Sequence, residues 1–102
     1  MTRISFEWDP QKAASNLLKH GVSFEVAERV FSDPLRLTRR DRVVDGEERW
    51  QTIGTVNGLT LLLVAHTTWE ENDYGEDIEV VRIISAREVT RRERKDYESE
   101  AH

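Results

Sequence analysis

Apolar positions recur at helical spacing in two stretches near the start of the chain and at strand spacing through most of its remainder. Ser5-Phe6-Glu7-Trp8 alternates and is rich in aromatics, which predicts a short edge strand. Asp9-Pro10 then supplies an N-cap followed by proline in the first helical position. From Gln11, the residues Ala13, Ala14, Leu17 and Leu18 share one arc at 3.6-residue spacing, and after His20 Gly21 can adopt a left-handed cap. The pattern predicts a helix with that arc buried. Ser23 caps a second helix carrying Phe24, Ala27, Val30 and Phe31 on its inner stripe, and Asp33-Pro34 ends it.

Beyond Pro34 the period changes to that of strands. Leu35 to Val44 is a charged run with few apolar residues, as an edge strand would be. Arg49 to Val56 and Leu59 to Thr68 flank Asn57-Gly58, the strongest short hairpin signal. Glu71 to Asp77 is expected to be a polar loop containing Gly75, and Ile78 to Ser85, apolar on both faces, an interior strand. Ser85 and Glu88 match a capping box, so a last helix is expected from Ala86 to about Tyr97, with a thin stripe of Ala86, Val89 and Tyr97. The order strand, two helices, four strands, helix predicts an α+β domain spanning residues 1–102, with helices on one face of a mainly antiparallel sheet.

Composition narrows the function. With 102 residues there is room for one modest core. No cysteine is present, so thiolate nucleophiles, disulfides and Cys-containing zinc sites are excluded, and the composition suits a reducing cytoplasm. The longest apolar run, Leu61 to Ala65, is far short of the roughly 20 residues of a membrane helix, and Met1 to Asp9 lacks the core of a signal peptide. A soluble protein with no membrane contact is expected. The three histidines, His20, His66 and His102, are scattered and suggest no metal, and no phosphate-binding glycine loop or activated serine motif occurs. No cofactor is expected.

Lys+Arg number 15 and Asp+Glu 20, a net charge of −5 that argues on its face against binding nucleic acid. The charge is polarised, however. Six acids fall between Glu70 and Glu79, whereas Arg87, Arg91, Arg92, Arg94 and Lys95 crowd nine residues. Five cations that close in an acidic chain favour a phosphate or an acidic partner. On the first helix Lys12, Asn16, Lys19 and His20 form a polar stripe beside the apolar arc, either a solvated face or a ligand-binding one. Arg82 lies between Val81 and Ile83 in a strand expected to be buried, so it needs Glu48, Glu79, a helix carboxylate or a ligand. His66 is expected at the surface, and Trp8, Trp50 and Trp69 are core residues or base-stacking platforms. Histidine, lysine and arginine suffice for metal-free RNA cleavage, in which a ribose 2′-hydroxyl attacks the adjacent phosphate. These side chains alone do not separate that chemistry from plain protein binding.

Phe6-Glu7-Trp8-Asp9 with Lys12 and Ala13, then Asn16, Lys19-His20-Gly21-Val22, Phe24, Ala27, Phe31 and Asp33-Pro34, followed by Glu48-Arg49, Ile53-Gly54, Arg82-Ile83-Ile84-Ser85-Ala86-Arg87, Thr90-Arg91-Arg92-Glu93 and Tyr97, together resemble the BrnT family of bacterial type II toxins. The resemblance runs from residue 5 to 97. It implies a RelE-like fold, a ribonuclease that inhibits translation, and neutralisation by a DNA-binding BrnA-type antitoxin through which alone the complex reaches operator DNA. The polar positions that match are Lys12, Lys19, His20, Arg49, Arg82, Arg87 and Tyr97. Of these, Arg82 and Arg87 are expected to bind the scissile phosphate, Lys19 and Arg49 to hold flanking phosphates or stabilise charge, and His20 is the best acid or base candidate. Lys12, Arg91, Arg94, Lys95 and Tyr97 are expected to bind RNA. The alternative is a catalytically weak module of the same fold that mainly binds antitoxin and tunes its operator binding.

Overall fold

The structure, a computed structural model, describes residues 3–100. Five strands, β1 (Arg3–Glu7), β2 (Leu37–Val44), β3 (Glu47–Val56), β4 (Thr60–Asp73) and β5 (Glu76–Glu88), form one sheet in the order β1-β5-β4-β3-β2. The α+β class expected from the sequence is what the chain adopts. The sheet is mixed, because β1 adds to β5 in the parallel sense while every other pairing is antiparallel.

Helix α1 (Pro10–His20) and the short α2 (Phe24–Ala27), which tightens into a 3₁₀ turn over Glu28–Ser32, cover one face. Phe24, Ala27 and Val30 pack there against Val56, Leu62, Val64, Val81, Ile83 and Ala86. Helix α3 (Arg91–Glu100) lies on the other face and covers only one end of it, where Tyr97 and Val89 meet Ile53, Leu61 and Leu63. The remainder of that second face is open. Gly54 permits the close approach of the 3₁₀ turn to β3, since a Cβ there would lie 2.9 Å from Val30. Beyond the start of β2 the Asp33 carboxylate takes over the edge of β3. It accepts from the Thr55 amide at 2.8 Å and from the Tyr97 hydroxyl at 2.7 Å, fastening α3 to the body.

The structure corrects several expectations. The last helix begins at Arg91, and Ser85 to Glu88 continue β5, paired with β4. The capping box lies five residues later, at Thr90 and Glu93. The Glu93 amide donates to Thr90 Oγ1 at 3.2 Å while the Glu93 carboxylate accepts from the Thr90 amide at 2.9 Å. Arg87, expected within the last helix, is therefore a strand residue, apart from Arg91, Arg94 and Lys95 on α3. The expected loop from Glu71 to Asp77 is the paired tip of a long β4–β5 hairpin, turning at Tyr74-Gly75 with positive φ at both.

Helix α1 buries Asn16, while Leu17 and Leu18 are 50% and 90% exposed. The apolar arc misplaces the inner face because the contact α1 makes is polar. Where β1 has ended, Asn16 bonds both the amide and the carbonyl of Ala86, at 3.1 and 2.9 Å, and so satisfies the edge of β5 as a neighbouring strand would.

Candidate active site on the open face of the sheet

Arg82 and Arg87 are five residues apart, an odd number, so in a regular strand they would point to opposite faces. They do not, because β5 carries a bulge between them. Ser85 pairs with Ala65 but Ile83 pairs with His66, leaving Ile84 as the extra residue. Arg82 then stands opposite Thr67 and Arg87 opposite Leu63. Thr67 and Leu63 are four apart on β4, so both arginines face the open side, about 13 Å apart along the sheet at strand spacing.

The same register builds a polar row across the sheet. The ladder of β3 on β4 ends at Trp50 and His66. The next residues, Arg49 and Thr67, share the open face, and Thr67 is opposite Arg82, which is opposite Glu7 of β1. The structure thus brings Arg49, rather than Arg87, beside Arg82. Ala65 and Ser85, both small, floor the adjoining row, with Gln51 and Arg39 beyond them.

Each arginine has a carboxylate partner. Arg82 pairs with Glu7 at 3.1 Å and lies over the Trp69 ring at 5.4 Å. Its partner is neither Glu48 nor Glu79, and its side chain is half exposed because α3 does not reach this part of the face. A pair so exposed contributes at most about 1 kcal/mol, so an anionic ligand can displace Glu7. Arg87 is held more firmly. Glu93, largely buried, binds it through two bonds of 2.8 and 2.9 Å. That fork holds the Glu93 pKa down at about 2, chiefly through the Arg87 hydrogen bonds, and raises that of Arg87. Arg49 Nη2 meets Glu47 at 3.3 Å, and Arg39 bridges to Asp96 of α3 at 2.9 Å.

The other candidates lie elsewhere. Lys12, Lys19 and His20 line, with Ile84 and Ser85, a cleft of about 190 Å³ along the edge of β5 that α1 flanks. Lys12 also lines a neighbouring cleft of about 320 Å³ with Glu7, Trp8 and Arg82. This edge groove therefore joins the α1 cations to the Arg82 end of the open face. Arg91, Arg94 and Lys95 are exposed on α3. Tyr97 is buried with its hydroxyl committed to Asp33. Burial pushes the Asp33 carboxyl upward, but hydrogen bonds from Tyr97, Thr55 and Leu35 outweigh it and hold it below its ordinary value.

His66, expected at the surface, is 3% exposed and faces the helices. Its Nε2 shares a 2.8 Å hydrogen bond with Thr52 Oγ1, which bonds in turn to Thr38, and its ring meets Phe31 edge-on. Sequence reasoning missed Thr67, Gln51 and Arg39 as residues of the open face. Only the alternation of β3 and β4, read with the bulge, could have found them.

A family model described as the ribonuclease toxin BrnT of type II toxin–antitoxin systems matches residues 8–93. The chain belongs to the BrnT family. Its fold is similar to the crystal structure of the Brucella abortus ribonuclease toxin BrnT, with a TM-score of 0.52 and 25% identity over 89% of this chain and 99% of that one. No curated protein matches it. As a BrnT-family ribonuclease toxin it has an RNA target and an antitoxin partner. Lys12, Lys19, His20, Arg49, Arg82, Arg87 and Arg91 fall inside the matched stretch, whereas Arg94, Lys95 and Tyr97 lie beyond it. Among the described residues no helix is long and apolar enough to cross a membrane, and no three His, Cys, Asp or Glu side chains gather to hold a metal ion.

Proposed function

We propose that this BrnT-family chain, RelE-like in fold, cleaves RNA on the open face of its sheet without a metal ion, inhibits translation in the cytoplasm, and is neutralised by a BrnA-type, DNA-binding antitoxin. The observation that carries the reading is the bulge at Ile84, which turns Arg82 and Arg87 to the same face and sets Arg82 in one row with Arg49. The scissile phosphate sits between Arg49 and Arg82. Attack by the ribose 2′-hydroxyl forms a bond to phosphorus and breaks the bond to the 5′-oxygen, leaving a 2′,3′-cyclic phosphate and a 5′-hydroxyl. The arginines stabilise the charge that builds on the phosphoryl oxygens. Arg87, held by Glu93, takes a neighbouring phosphate, and Lys12 and Lys19 guide the strand along the edge groove. His20, at the Glu88 end of that groove and on the side of the sheet that α1 covers, does not reach this phosphate. Glu7 and Glu93 are tied to arginines and Tyr97 to Asp33, so the 2′-hydroxyl gives its proton to water and the 5′-oxygen takes one from water. Arg91, Arg94 and Lys95 bind more distant phosphates.

Leu17, Leu18 and Leu59, all exposed, give the antitoxin apolar surface; Leu17 and Leu59 line a groove of about 460 Å³. One observation favours a second reading, the antitoxin-binding module with feeble cleavage: Arg39, Arg49, Arg82 and Arg87 are each paired with an acid. Incubation of the purified protein with total RNA in EDTA separates the two. Fragments ending in 2′,3′-cyclic phosphate, absent when the cognate antitoxin is added, are expected; intact RNA, or cleavage that needs Mg²⁺, contradicts the metal-free nuclease.

A further inference from the structure

Two buried side-chain polar atoms among the described residues lack a hydrogen-bond partner, Arg49 Nε and Thr67 Oγ1. They belong to neighbouring strands, each one residue past the last ladder pair Trp50–His66, and share the open face with Arg82, which is opposite Thr67. Thr67 is 3% exposed, and nothing in the fold uses its hydroxyl. A buried hydroxyl left unpaired destabilises the free protein, and valine would fill the same space in a strand without that penalty. The polar atoms are therefore more consistent with a ligand than with packing.

We propose that Thr67 Oγ1 and Arg49 Nε form the seat for a non-bridging oxygen of the RNA phosphate held between Arg49 and Arg82, making Thr67 a substrate-contacting residue. The proposal rests on the open face being the cleavage site. Arg49 Nε–H can only donate, and the flanking guanidinium of Arg82 likewise offers only donors. A hydroxyl between them completes a set that suits an acceptor-only ligand, which a phosphodiester oxygen is. Glu47 holds Arg49 through Nη2 at 3.3 Å, which fixes the guanidinium while leaving Nε free for the ligand. Both atoms are covered in the free protein, so the phosphate reaches them as Arg82 leaves Glu7 and swings off the row; Ala65 and Ser85, both small, floor the adjoining row. Thr67 donates its hydroxyl proton as a hydrogen bond, with no bond made or broken at its oxygen.

The test compares Thr67→Val and Thr67→Ser with the wild type in the full chain, measuring binding of a 2′-O-methyl RNA oligonucleotide, which cannot be cleaved, and the thermal midpoint of the free protein. Thr67→Val is expected to bind about tenfold or more weakly, the worth of a hydrogen bond to a charged group, and Thr67→Ser within about twofold of wild type. The thermal midpoint of Thr67→Val should equal or exceed that of wild type, because the hydroxyl has no partner to lose. Unchanged binding by Thr67→Val overturns the proposal, as does a fall in its thermal midpoint that accompanies the loss of binding and that Thr67→Ser reverses. Failure of the wild type itself to bind the oligonucleotide would take down the cleavage-site reading along with this one, whereas normal wild-type binding with an unaffected Thr67→Val removes Thr67 alone.

Discussion

Burial lowers the pKa of His66 to about 4, with the Thr67 carbonyl offsetting part of the effect. Between that value and the ordinary 6.5 the unfolded chain binds a proton that the folded chain refuses, so stability rises with pH across the window and is lost as pH falls from 6.5 towards 4. The loss should reach about 2–3 kcal/mol. The paired acid Glu93 also loses its contribution as pH falls around its unfolded value of 4.5, and Glu28, raised by burial and by Glu25, acts in the opposite sense above that value, so the histidine's share is the difference between wild type and His66→Gln. Urea unfolding from pH 5 to 7 is expected to show this slope in the wild type and a flatter one in His66→Gln; equal slopes would mean the imidazole is not buried neutral. None of this is legible from a histidine followed by two threonines, because depth depends on Phe31 arriving from the 3₁₀ turn. Arg82 is legible as a residue needing a partner, but the partner, Glu7, comes from a parallel strand 75 residues away in sequence.

At the scale of elements, local signals succeed where the neighbours agree with them. Asp9, Gly21 and Asn57-Gly58 mark α1 and the β3–β4 hairpin where the structure has them, with Asp9 accepting from the Gln11 amide and Gly21 at φ 70°. They fail where two local signals compete. Ser85-x-x-Glu88 and Thr90-x-x-Glu93 both match the capping-box pattern, and pairing with β4 keeps the first in the sheet. The bulge at Ile84 has no sequence mark, yet it decides which face Arg82 and Arg87 share. Deletion of Ile84, the unpaired residue, should restore regular alternation and leave Arg82 and Arg87 four residues apart, still on the open face. In a deletion variant that keeps its cooperative thermal transition, RNA cleavage is expected to stay within about tenfold of wild type, far from the loss of about a hundredfold or more that removal of a transition-state donor causes. A folded deletion variant that loses about a hundredfold or more would show that the bulge does more than set which face the two arginines share.

For the molecule as a whole, a net charge of −5 and RNA cleavage are compatible because the charge is spatially sorted. The acids from Glu70 to Glu79 lie on the hairpin tip beyond Trp69, while Arg39, Arg49, Arg82 and Arg87 gather in the rows between that tip and α3. Composition shows the imbalance and not its geography, which is why sequence reasoning puts the α1 cations and the strand arginines in one site. The sheet places them on an edge groove and an open face that meet near Arg82. The most direct test is single-turnover cleavage of a defined RNA in EDTA by wild type and by Arg82→Ala, with folding checked by thermal denaturation. Loss of about two orders of magnitude or more in the variant is expected for a group that stabilises the phosphoryl charge; a folded Arg82→Ala that cleaves within about twofold of wild type would contradict an active site on the open face.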